Sequence, residues 1–160
     1  MTRIAPCLWF NGEAEAAAEF YVSVFGDAAI GAVSRYGADM PFPAGTALMV
    51  EFTLAGQRLQ ALNGGPQFQF SEAISLSVSC RDDAEVDHVW NGLLAGGGSE
   101  GRCGWLKDRF GVSWQVVPEG LGALLKDPEP GRRGRAMAAM MGMKKLDIAA
   151  MRAAADGSLP

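Results

Sequence analysis

One hydrophobic pattern occurs twice in this 160-residue chain, and that repetition constrains the fold more than any single motif. In the first copy Ala17, Phe20, Tyr21, Val24 and Phe25 fall at helical spacing, which predicts a helix over 13–25 with one apolar stripe. In the second copy Val86, Val89, Trp90, Leu93 and Leu94 predict the same over 83–95. Phe20 answers to Val89 at an offset of 89 − 20 = 69 residues, and Tyr21/Trp90, Val24/Leu93 and Phe25/Leu94 repeat that offset. A strand-like segment precedes each helix, at 3–10 and at 74–80, where Ile-Ser-Leu-Ser-Val-Ser-Cys alternates cleanly. Three more follow each helix: about 28–36, 46–54 and 57–63, then 99–102, 103–107 and 112–117. Gly26 and Gly96-Gly97-Gly98 stop the two helices, and Asp82 and Asp83 are both suited to cap the second. The chain therefore reads as strand–helix–three strands, twice: an α+β fold of paired βαβββ modules at about 3–63 and 74–117.

After Pro118 the character changes. A short helix is expected over 119–126, then a break at Asp127-Pro128-Glu129-Pro130-Gly131, then Met-rich helical sequence over 132–143 and 147–155. This divides the chain into a main domain at 1–126 and a C-terminal helical arm at 127–160. Met137, Met140, Met141 and Met143 suit packing of that arm against the domain or a second subunit. Arg132, Arg133 and Arg135 read as a solvated helix start or as dimer salt bridges, with a phosphate patch as the alternative.

The formal charge is −4, which disfavours nucleic acid as a partner. No apolar run approaches the roughly 18 residues a membrane helix needs. The N-terminus shows no signal-peptide pattern, and Cys7, Cys80 and Cys103 are an odd, irregular set that suits reduced thiols. A cytoplasmic location is the expectation.

Two groups of residues carry a family resemblance. Pro6-Cys7-Leu8-Trp9-Phe10-Asn11-Gly12 followed by Phe20-Tyr21-Val22-Ser23-Val24-Phe25-Gly26 resembles the opening of glyoxalase-type proteins. Ala61-Leu62-Asn63-Gly64-Gly65-Pro66, Cys103-Gly104-Trp105-Leu106-Lys107-Asp108 and Phe110-Gly111-Val112-Ser113-Trp114-Gln115 are similar to the PhnB-like branch of the vicinal oxygen chelate superfamily, a branch described as 3-demethylubiquinone-9 3-methyltransferase-like. The resemblance spans about 3–156. It implies a cupped mixed sheet around a cavity, and a homodimer. For a methyltransferase cofactor, Asn63-Gly64-Gly65-Pro66 follows a strand but leads into Gln67-Phe68-Gln69-Phe70 rather than a helix.

Metal-dependent members of the superfamily place His or Glu near each module's first strand and Glu near each module's last. Carried over position by position, the first-strand sites fall on Pro6 and Ala73, which have no donor side chain. One last-strand site falls on Gln115, and the other near Ala61 or Asn63. No metal and no cofactor are expected. Ligand-binding candidates are Trp9, Gln60, Asn63, Ser77, Trp105 and Gln115. Gln115 is expected to face the cavity and Trp114 the opposite side. Cys103, Trp105 and Lys107 share parity, so a thiol nucleophile activated by Lys107 is a catalytic candidate beside the simpler reading of an inert thiol and a surface lysine. His88, the one histidine, reads as a solvated helix residue. Three functions follow: a metal-independent small-molecule binder, an enzyme on a small organic metabolite using Cys103, Lys107 or Gln115, or a structural or regulatory dimer using the Met-rich arm.

Overall fold

Alternation of apolar residues builds the same sheet twice. In the computed structural model, which describes residues 2–158, β1 (Cys7–Phe10), α1 (Ala14–Val24), β2 (Ala28–Arg35), β3 (Ala47–Leu54) and β4 (Gln57–Asn63) form the first module. The second comprises β5 (Leu76–Cys80), α2 (Asp83–Leu94), β6 (Ser99–Glu100), β7 (Trp105–Lys107) and β8 (Ser113–Pro118). The strand orders are β1-β4-β3-β2 and β5-β8-β7-β6. In each sheet the first strand runs parallel to the last, and the other pairs are antiparallel. A helical crossover permits the parallel pair, and the later strands form a meander. The chain divides into two compact units, one through Phe70 and one from Ser71.

Within the first unit one sheet face buries Leu8, Phe10, Val50, Phe52, Leu59 and Ala61. Helix α1 buries Ala14, Ala17, Ala18, Tyr21 and Val24, and packs on β3 and β4. Its alanines let the helix approach closely, and Tyr21 stacks on Phe52 with ring centroids 6.1 Å apart. In the second unit Leu106, Trp114, Val116 and Cys80 are buried on the sheet, and α2 contributes Val86, Val89, Trp90 and Leu93. Asp82 caps α2, accepting from the Glu85 N–H, as expected of that residue.

One expectation needs correction. The stretch expected as strands at 99–102 and 103–107 is a two-residue β6, a turn, and then β7. Cys103 lies in that turn with φ of 55°, so it does not belong to the stripe of Trp105 and Lys107. Helices on both sides of the expected 126/127 boundary share one buried cluster. Leu124 from α3 (Leu121–Leu125) is buried with Ala136 of α4 (Pro130–Gly142), Leu146, and Ile148, Met151 and Ala155 of α5 (Ile148–Ala155). The three arginines are ties within this cluster. Arg132 pairs with Asp127 and Asp156, Arg133 donates to the Asp127 carbonyl, and Arg135 donates to the Ala155 carbonyl at the end of α5.

Candidate functional site

Each sheet has a second face, opposite its helix, and Gln60, Ser77 and Gln115 lie there. In the second module the register aligns Ser77 with Gln115 and Gln115 with Trp105. Gln115 and Val117 are half-buried on this face, whereas Trp114 and Val116 are buried on the helix side. The expected parity holds. Ser75, which sequence reasoning passed over, accepts a hydrogen bond from Gln115 Nε2 at 2.9 Å and orients the amide. Nothing local marks it, because it sits one residue before β5 and meets Gln115 only through the parallel pairing.

The first module gives the counterpart. Cys7 aligns with Gln60 as Ser77 aligns with Gln115. Gln60 lies on the helix-free face of its sheet, beside Glu51 on β3. The sequence left the remaining position at Ala61 or Asn63. Both of those are fully buried on the helix side. Asn63 in particular is structural: Oδ1 accepts from the N–H groups of Gly12 and Ala14, and Nδ2 donates to the Ala47 carbonyl. Its amide ties the entry of α1 to β3 and is not available to a ligand.

Trp9 is also committed to its own module. Its Nε1 donates to the Gly65 carbonyl at 2.8 Å, and Phe68 packs edge-on at 5.0 Å between centroids. A Cβ on Gly64 would lie 2.2 Å from the Trp9 ring, so the Gly64-Gly65 turn exists to seat the indole. Space over that turn is filled, no helix follows Pro66 before α2, and the residues present do not fit a methyl-donor cofactor held in a glycine cradle.

The proposed thiol–lysine pair is separated. Cys103 directs Sγ to the Met140 carbonyl and to Met141 Sδ, towards α4. Lys107 instead forms an ion pair with Glu72 at 2.5 Å, and the Lys107 hydrogen bond holds the Glu72 carboxyl below its usual range. Activation of Cys103 by Lys107 has no geometric basis.

The same face carries a cleft of about 280 Å³ lined by Glu72, Trp105, Lys107, Ser113 and residues 99–101. The first module has a hollow of about 400 Å³ lined by Arg58 and Gln60. For a divalent metal the donors do not fit. Gln60 and Gln115 are neutral amides, Cys7 is a thiol that burial pushes up, and Glu51 and Glu72 are paired with Arg58 and Lys107. Among the described residues there is no group of three or more His, Cys, Asp or Glu side chains placed to hold a metal.

With the geometry in hand, the chain was compared with known proteins. Residues 2–117 match the model of the 3-demethylubiquinone-9 3-methyltransferase family. The chain belongs to that family. It is the PhnB-like branch of the glyoxalase/bleomycin-resistance superfamily, and the paired mixed sheets are those of the glyoxalase-like fold. A PhnB protein of Bacillus cereus, described as a putative 3-demethylubiquinone-9 3-methyltransferase, is 34% identical with a TM-score of 0.68, covering 73% of this chain and 99% of its own. A Pseudomonas aeruginosa protein is 27% identical with a TM-score of 0.61, covering 74% and 98%. A glyoxylase/bleomycin resistance protein/dioxygenase domain from a Frankia species, 14% identical with a TM-score of 0.50 over 74% and 92%, shares the fold. No match was found among curated proteins. The family match ends at 117, so the likeness does not extend over the helical arm as the sequence motifs suggested.

Proposed function

We propose that this PhnB-like protein binds a small organic molecule without a divalent metal. One observation carries the reading. Gln60 and Gln115, on the helix-free faces of the two sheets, are neutral amides, and Gln115 stands where the resemblance puts a last-strand carboxylate. Two amides leave a divalent charge uncompensated but can orient a polar organic group. In the second module Gln115 is fixed by Ser75 and flanked across the strand by the half-buried Trp105. A planar molecule with one or two hydrogen-bonding groups suits such a surface.

Thermal-shift screening of chelator-treated protein tests this. At least one organic metabolite stabilises the protein, and Gln115→Ala reduces that shift. S-adenosylmethionine gives no shift. About one tightly bound Ni, Fe, Mn or Zn per chain in untreated protein, lost together with ligand binding on chelation, overturns the reading.

A further inference from the structure

We infer that the cleft on the helix-free face of β6, β7 and β8 takes the carboxylate end of a small aromatic acid, with Lys107 as counter-ion, Ser113 as hydroxyl donor and Trp105 as the platform for the ring. This deepens the small-molecule reading above and rests on it. The register lines up Ser99, Lys107 and Ser113 as one row across the three strands. Ser113 is 2% exposed, and its Oγ has no hydrogen-bond partner among the described residues. A buried hydroxyl left unpaired is destabilising, and natural structures rarely keep one without a use. Here Ser113 is one of the residues that line the cleft, in register with Lys107 and near the half-buried Trp105.

Charge selects the ligand class. Lys107 is the one cation in the lining, and Glu72 and Glu100 are also there. Glu100 is paired with Lys144 and Glu72 with Lys107, so a monocarboxylate that takes the place of Glu72 is balanced by Lys107, whereas a dianion such as a phosphate monoester leaves one negative charge unmatched. A carboxylate already occupies Lys107, since Glu72 reaches it from the loop before β5. That side chain is 64% exposed and acts as an internal stand-in for the ligand. The lysine has three donors, so a ligand carboxylate can displace Glu72 or share the ammonium with it. A cleft of about 280 Å³ is at the small end for ligand sites, which favours a single ring with a short acid group.

Calorimetric titration of the full chain with benzoate and 4-hydroxybenzoate tests the assignment, with benzamide and cyclohexanecarboxylate as controls. The aromatic acids bind, benzamide and cyclohexanecarboxylate bind more weakly, and Lys107→Met lowers benzoate affinity roughly tenfold or more. Ser113→Ala weakens binding several-fold while leaving the melting temperature unchanged or raised, because it removes an unsatisfied hydroxyl. Glu72→Gln tightens binding by removing the competitor. Benzamide binding as well as benzoate, undiminished affinity in both Lys107→Met and Ser113→Ala, or weaker binding in Glu72→Gln would each overturn the assignment. If neutral metabolites bind and aromatic acids do not, this inference fails while the metal-free binding reading stands. If nothing organic binds, both fail.

Discussion

Single side chains in this protein divide into those that hold a module together and those presented on the helix-free faces. Asn63 and Trp9 look alike in sequence to Gln60 and Trp105: a polar and an aromatic residue on strands near a glycine-rich turn. Partners decide between them. Asn63 uses both ends of its amide on backbone groups, so Asn63→Ala leaves two N–H groups and one carbonyl unpaired in a buried place. A loss of about 2–3 kcal/mol in urea unfolding is expected, and Asn63→Asp, which cannot donate to the Ala47 carbonyl, is no better. Retained stability with weakened ligand binding would restore Asn63 to the ligand site. Gly64 gives a second test. Its Cβ would meet the Trp9 ring at 2.2 Å, so Gly64→Ala forces the indole to move and destabilises by about 1–3 kcal/mol. A paired Trp9→Leu substitution relieves part of that loss. Asp108 is of the same structural kind: 3% exposed, it accepts from the N–H groups of Phe110 and Val112 and from Trp114 Nε1. None of these assignments follows from residue type or strand parity, because each depends on which distant backbone group lies within reach.

At the scale of elements, much was legible. The two helices and the three strands after the first of them lie where periodicity puts them, since each buries one face and the spacing records it. The stretch from Ser99 to Lys107 was not legible, for a physical reason. Cys103 N–H donates to the Met143 carbonyl, and Gly104 N–H donates to the Lys144 carbonyl, so the α4–α5 connection shapes this turn from forty residues away. Gly104 has φ of 82°, and a Cβ there would meet the Val116 carbonyl and Leu146. The helices after Pro118 are thus more than a surface arm. They share a small core centred on Met151, which is fully buried. Met151→Ala is expected to destabilise by about 2–4 kcal/mol. In amide exchange the loss of protection extends beyond α3, α4 and α5 to Cys103 and Gly104. Loss of protection confined to α5 would show that the turn holds its shape unaided.

For the whole molecule, the charge pairs and the buried thiol set opposite limits on stability. Glu15, Glu72, Glu100 and Asp127 are all held below their usual values, chiefly by hydrogen bonds from Arg35, Lys107 and Lys144 and, for Asp127, from the Glu129 N–H and then Arg132. A lowered native value means that the unfolded chain binds more protons in the acid range. These groups therefore contribute stability above the ordinary carboxylate values and lose it as pH falls through their native ones. All four are on the surface, so each contribution is small and screened by salt. Cys80 acts in the other direction. It is fully buried at the end of β5, and burial, followed by the nearby Glu85 and Asp82, pushes its thiol up from 9.0 to about 11. Well below pH 9 both folded and unfolded forms keep the proton and nothing changes. Between pH 9 and 11 the unfolded thiol ionises while the buried one does not, so stability falls as pH rises through that window. Denaturant midpoints measured from pH 7 to 11 are expected to decline at the alkaline end, and Cys80→Ala, less stable at pH 7 for its lost packing, declines less steeply. Parallel curves for the two proteins would show that Cys80 ionises alike in the folded and unfolded states. A decline that begins below pH 8 in both would place the alkaline limit on another group.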